Sequence, residues 1–166
     1  MWNEFFVSAP QLKRDPLGRS DNVYHHTQSA SYLLRAVVLA ACLAAALALR
    51  PLGSRLVLWA PVGIGVLTVI LFGSLTTEVN HERLTFWFGP GLVRRSFLLS
   101  EIRTWTPVTN PWWYGWGIHF TPHGWLYNVG GREAVQFELT SGGRFRVGTD
   151  TPTALCEMIR LRKGAA

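Results

Sequence analysis

Five histidines are the side chains of this sequence best placed to titrate near neutral pH, and their spacing limits what they can do. His119 and His123 stand four apart, a separation that would aim two imidazoles at one metal on a helix. Here they straddle a strand and the turn Pro122-His123-Gly124, so the rings need not converge, and His81 supplies no obvious third ligand. His25-His26 lies in a polar stretch and reads as a solvated or interfacial pair. Glu133 and Glu138 fall on the outer face of a hairpin, which argues against paired acid–base work. Cys42 and Cys156 sit in separate helical segments and read as packing residues, with no disulfide framework. The sequence has no Gly-rich phosphate loop, no HExxH, no CxxC and no serine elbow. It therefore predicts a protein that is not an enzyme, with no catalytic residues, no metal, no cofactor and no small-molecule substrate.

The tryptophans carry a stronger signal. There are eight in 166 residues, and Trp105, Trp112, Trp113, Trp116 and Trp125 crowd into one region. Trp112 and Trp113 follow Pro111 in a loop, where two adjacent rings cannot both enter one core. Near the start, Trp2, Phe5 and Phe6 stand ahead of a polar, turn-rich stretch that offers them no core. Large aromatics offer much contact area for few rotatable bonds, so they dominate interfaces. These five residues are the expected partner-binding anchors. Deleting residues 1–8 is expected to release the chain from its partners.

The elements behind these residues follow from the charge map. The chain is 48% hydrophobic but 16% charged, against about 25% for an average domain. Residues 36–49 and 56–77 contain no charge. The reading is a two-helix transmembrane hairpin over 31–75, turning at Arg50-Pro51-Leu52-Gly53-Ser54-Arg55. Arg35, one turn inside, and Trp59, near the start of the second span, are the expected membrane-interface residues. Ala41, Ala44, Ala45 and Ala48 make a small-residue face for a close helix partner. The flanks carry more Arg and Lys than the turn, which places both termini in the cytoplasm of a multi-pass protein of the bacterial inner membrane. Residues 10–26 lack the apolar core of a secretory signal, so the apolar spans read as permanent. Residues 1–30 form an N-terminal cytoplasmic arm.

Past Thr77 the pattern changes to short strands at 78–81, 84–88, 92–98, 102–108, 117–121, 125–129, 134–139 and 144–147, with turns at Gly89-Pro90-Gly91 and Ser141-Gly142-Gly143. Thr151 and Pro152 open a helix whose apolar stripe is Leu155, Met158 and Ile159. Two apolar spans, the Gly-Pro-Gly turn, Arg94-Arg95, Trp116-Gly117-Ile118, the 124–129 run and Arg146-Val147-Gly148-Thr149-Asp150 resemble bacterial membrane-anchored pleckstrin-homology (PH)-like domain proteins over roughly residues 31–163. The resemblance implies an α+β membrane protein whose residues 76–166 form a PH-like antiparallel β-barrel closed by the C-terminal helix. It implies no defined activity. The expected function is a non-enzymatic accessory or scaffolding subunit of a larger membrane protein complex, such as a respiratory or photosynthetic assembly. Its partners would be other membrane-protein subunits and the lipid bilayer. The alternative is a stand-alone membrane-anchored module binding lipid headgroups or a soluble partner. Net charge is +6, but no run of Lys and Arg exceeds two, which points away from nucleic acid.

Overall fold

The computed structural model describes residues 23–52 and 55–164. It begins with a strand, β1 (Tyr24–Ser29), then α1 (Tyr32–Ala48), a 3-10 turn at Arg50–Leu52, α2 (Arg55–Phe72) and β2 (Ser74–Val79). β1 and β2 pair antiparallel, with Ser29 opposite Ser74. Beyond that pair, Ala30 N donates to the Gly73 carbonyl at 2.8 Å. The helical hairpin is thus an insertion between two neighbouring strands, leaving and rejoining the sheet at one point. Ser31 starts α1 by accepting from Arg35 N at 3.1 Å.

The two helices meet along a narrow seam. Ala46 is buried, and Arg35, Val38 and Cys42 are half-buried at three- and four-residue spacing along the same side of α1. Gly65 answers Cys42: a Cβ there would stand 2.6 Å from the Cys42 sulfur. The expected alanine face, Ala41, Ala44, Ala45 and Ala48, is exposed.

The transmembrane reading is corrected by this hairpin. Among the described residues no helix is long and apolar enough to cross a membrane. α1 has 17 residues and α2 has 18. At about 1.5 Å per residue they rise roughly 25 and 27 Å, short of the ~30 Å hydrocarbon core. Residues counted into the spans go elsewhere: Ser74 and Leu75 belong to β2, Ser31 starts α1 from outside, and Leu49 leads into the 3-10 turn. The expectations of a multi-pass inner-membrane protein and of both termini in the cytoplasm fall with the spans.

The chain then adds β3 (Arg83–Phe88) and β4 (Val93–Leu98), giving an antiparallel sheet in the order β1-β2-β3-β4. The β2–β3 turn is closed by Asn80, whose Oδ1 accepts from Glu82 N and Arg83 N at 3.0 and 2.7 Å. A 3-10 turn at Leu99–Glu101 leads to a second sheet: β5 (Ile102–Thr109), β6 (Gly117–Thr121), β7 (Gly124–Asn128), β8 (Glu133–Leu139) and β9 (Arg144–Gly148). Its order is β5-β8-β9-β7-β6, and β7 runs parallel to β9. The helix α3 (Pro152–Gly164) ends the fold.

The expected barrel is therefore also corrected. β4 and β5 are consecutive but lie in different sheets, and no barrel closes. The second sheet is mixed, where a meandering barrel would be antiparallel throughout. The architecture is α+β with two sheets facing each other across one core. Phe86 and Phe88 of the first sheet meet Tyr127, Phe137 and Phe145 of the second, and Leu155 and Ile159 of α3 complete the cluster. Phe97 stacks on Phe145 at 4.3 Å between ring centroids, and Phe86 lies 4.9 Å from Tyr127. Such aromatic contacts add to the area they bury.

β1 is the polar side of that junction. Its inward residues are Tyr24, His26 and Gln28, all buried. Each finds a partner from beyond β7: Tyr24 with the Thr151 hydroxyl at 3.1 Å, His26 Nε2 with the Asp150 carboxylate, and Gln28 Nε2 donating to Gly130 O at 2.9 Å. Burial pushes the Tyr24 phenol up, against the lowering effect of its Thr151 hydrogen bond. The hydrogen bond from His26 holds the Asp150 carboxyl below its ordinary range, against the raising effect of burial. A lowered carboxyl stabilises the fold fully above its unfolded pKa and loses that contribution as pH falls through the folded value. Asp150 is 44% exposed, so solvent screening limits the effect to about 1 kcal/mol. Urea midpoints between pH 6 and 3 should fall more steeply for the natural chain than for Asp150→Asn. Parallel curves would show that this contact contributes nothing.

Candidate functional site

The aromatic loop is built on a polar platform. Arg146 points away from the core face of β9 and is 7% exposed. Its Nε donates to Gln136 Oε1 at 2.6 Å and its Nη1 to Asn110 Oδ1 at 2.8 Å. The Tyr114 ring centroid lies 6.0 Å from its guanidinium carbon. Burial pulls the Arg146 pKa down, and Tyr114 acts in the opposite direction. Asn110 is held again through its backbone, with N donating to Arg132 O at 2.7 Å and its carbonyl accepting from Arg132 Nε at 3.1 Å. At the far end Asn128 Nδ2 donates to Gly115 O at 3.4 Å. The six residues from Asn110 to Gly115 are thus tied at both ends.

Trp112 and Trp113 ride on this platform in a 3-10 turn at Trp112–Tyr114. They are 76% and 67% exposed, and their rings meet edge to face with centroids 6.0 Å apart. Neither ring enters the core. Trp116, Phe120 and Trp125 are exposed as well. Phe120 and Trp125 pair across β6 and β7 with centroids 5.7 Å apart, on the face that carries Ile118 and Tyr127. The surface of the second sheet is therefore aromatic at its β6 edge and at the loop above it.

The other expected site residues are placed as follows. Trp2, Phe5 and Phe6 lie outside the described residues. Trp59 is exposed on α2. Arg35 turns inward across the base of the hairpin: its Nη2 donates to Gly73 O at 2.6 Å, and its guanidinium carbon stands 5.7 Å from the Tyr32 ring. A cation there also faces the negative end of α2. The two histidines read as a solvated pair are divided by strand alternation. His26 is buried on Asp150, while His25 lies against Trp87 with centroids 6.0 Å apart. His123 lies 6.3 Å from Tyr114, and among the described residues no three His, Cys, Asp or Glu side chains gather as a metal would require.

Arg146 and Asn110 are the residues that sequence reasoning missed. A signal was present. Arg146 sits in a strand flanked by Phe145 and Val147, where an arginine faces a covered outer side only if something polar folds over it. No family model and no curated protein matches the chain.

Proposed function

We propose that this chain is a non-enzymatic accessory subunit that scaffolds a larger assembly, with its helical hairpin and its tryptophan loop as the contact elements. The observation that carries this reading is the outer surface of the hairpin. Leu39, Leu43 and Leu47 of α1 and Ile64, Leu67 and Ile70 of α2 are exposed together. A helix apolar on its outer side needs cover, and apolar patches of this kind mark interaction surfaces. The partners that fit are proteins whose own faces are apolar, as those of membrane-protein subunits are. The tied loop presents Trp112 and Trp113 without a further ordering cost, which favours affinity. Trp2, Phe5 and Phe6 are proposed as a third contact.

Native electrophoresis of the gently extracted chain tests this. The expected result is migration with a particle much larger than 18.6 kDa. The double variant Trp112→Ala/Trp113→Ala should fold normally and bind its particle about 30-fold more weakly, as anchors contributing about 2 kcal/mol would require. Migration of the natural chain alone would overturn the reading in favour of a stand-alone module. Full retention of the double variant would remove the loop from the interface.

A further inference from the structure

A second feature lies where the hairpin joins the sheets. A cleft of about 450 Å³ opens between the base of α1 and α2 and the β6–β7 edge. That volume falls in the range of about 300–1,000 Å³ typical of small-molecule sites. Its walls are apolar, with Val38 from α1, Val69 and Phe72 from α2, Ile118 from β6 and Trp116 from the loop before it. Among the described residues, Arg35 is the one charged residue in the lining, which contains no carboxylate.

The polar groups of the lining are mostly spent. Thr68 donates to Ile64 O at 2.8 Å. Asn128 donates to Gly115 O and Gly131 O and accepts from Gly130 N. Arg35 differs. One of its N–H groups reaches Gly73 O, whereas its Nε is buried with no hydrogen-bond partner. A guanidinium has five donors and pairs best with a planar or tetrahedral anion. A cation without an acid, at the end of an apolar cleft, matches a molecule that is apolar along its length and anionic at one end.

We propose that this cleft binds an alkyl-chain anion, with the chain between Val38, Val69 and Ile118 and a carboxylate or phosphate head on Arg35. This inference does not depend on the assembly reading, since the cleft lies at the hairpin base and not on its outer face. Trp116 supplies the readout, because a brominated chain beside it quenches its fluorescence. The experiment uses the full chain in a neutral sugar-headed detergent, titrated with a dibrominated fatty acid and with its methyl ester.

The acid should quench saturably, and Trp116→Phe should remove the quenched component. The ester should bind about tenfold more weakly, as should the acid to Arg35→Gln, the loss expected for one charged hydrogen bond. Val69→Trp, which fills the cleft and leaves Arg35 in place, should abolish saturable quenching. A dibrominated alkyl phosphate should behave as the acid does. Inorganic phosphate alone should not compete at millimolar concentration. Equal binding of acid and ester, or unchanged binding by Arg35→Gln, would remove the anionic head from the proposal. Quenching that survives Val69→Trp, or that never saturates, would mean adsorption elsewhere and would overturn it. Competition by inorganic phosphate as strong as that of the acid would make this a simple anion site and overturn it equally.

Discussion

Leu155→Asp is expected to unfold the two-sheet domain. Leu155 is fully buried on the inner side of α3, in the same cluster as Phe137, Phe145 and Ile159. Removing the leucine side chain alone costs about 2–5 kcal/mol. Placing a carboxylate there adds the penalty of an unpaired polar group, about 1–3 kcal/mol even after it takes up a proton. Domains of this kind hold only about 5–15 kcal/mol in reserve, so the sum reaches the lower part of that range. Far-ultraviolet circular dichroism against temperature should show no cooperative transition for Leu155→Asp. Leu155→Met, which keeps the volume, should lose less than about 1.5 kcal/mol. A normal transition for the aspartate variant would mean that α3 does not seal the core.

Gly89→Val should give the next largest loss, about 3 kcal/mol, through a different mechanism. Gly89 stands in the β3–β4 turn with φ +44, and its N–H donates to Ser74 O at 2.9 Å. A Cβ at this position would lie 2.4 Å from the Ile70 carbonyl oxygen and 2.7 Å from that of Leu71. Both are backbone atoms of the last turn of α2, so no side chain can swing aside. A β-branched residue is also strained at positive φ. The hairpin must shift off the first sheet to admit it. Amide exchange should therefore quicken at β2 and β3 while β8 and β9 stay protected. Gly63→Ala, where a Cβ meets nothing within 4 Å, should be neutral or slightly stabilising. Unchanged exchange at β2 in Gly89→Val would show that the turn does not hold the helix.

Periodicity made the two apolar helices and most of the later strands legible. The Ala134-to-Leu139 and Arg144-to-Val147 runs alternate plainly about a Ser-Gly-Gly turn, and they pair as β8 and β9. β1 was not legible, because the inward residues of Tyr24-His25-His26-Thr27-Gln28-Ser29 are mostly polar. Their burial depends on Asp150, Thr151 and Gly130, more than a hundred residues away. No local pattern encodes that. The helix lengths were misjudged for a related reason. An apolar run does not reveal that Leu75 leaves the helix to become the buried end of β2. The sheet assignment failed at Leu98–Ile102, where a three-residue turn carries the chain across to a new sheet instead of extending the old one. In the candidate site, the adjacency of Trp112 and Trp113 required only that one ring stand outside the core; both do, and the arginine that fixes their loop lay in another strand.

The insertion of the hairpin between β1 and β2 bears on the order in which the chain can fold. Ser29 must find Ser74 with the whole hairpin between them, a long separation for neighbouring strands. Closing a flexible loop becomes slowly costlier with length, by about 0.6 kcal/mol for each doubling. Helices form in microseconds or less, well before long-range strand pairing. Once α1 and α2 lie antiparallel, Ala30 and Gly73 are already neighbours, and the search for register shrinks to that of an ordinary tight turn. The loop that remains to be closed is then set by the hairpin stem and not by the number of residues in it. In this topology the helices act as a splint for the strands.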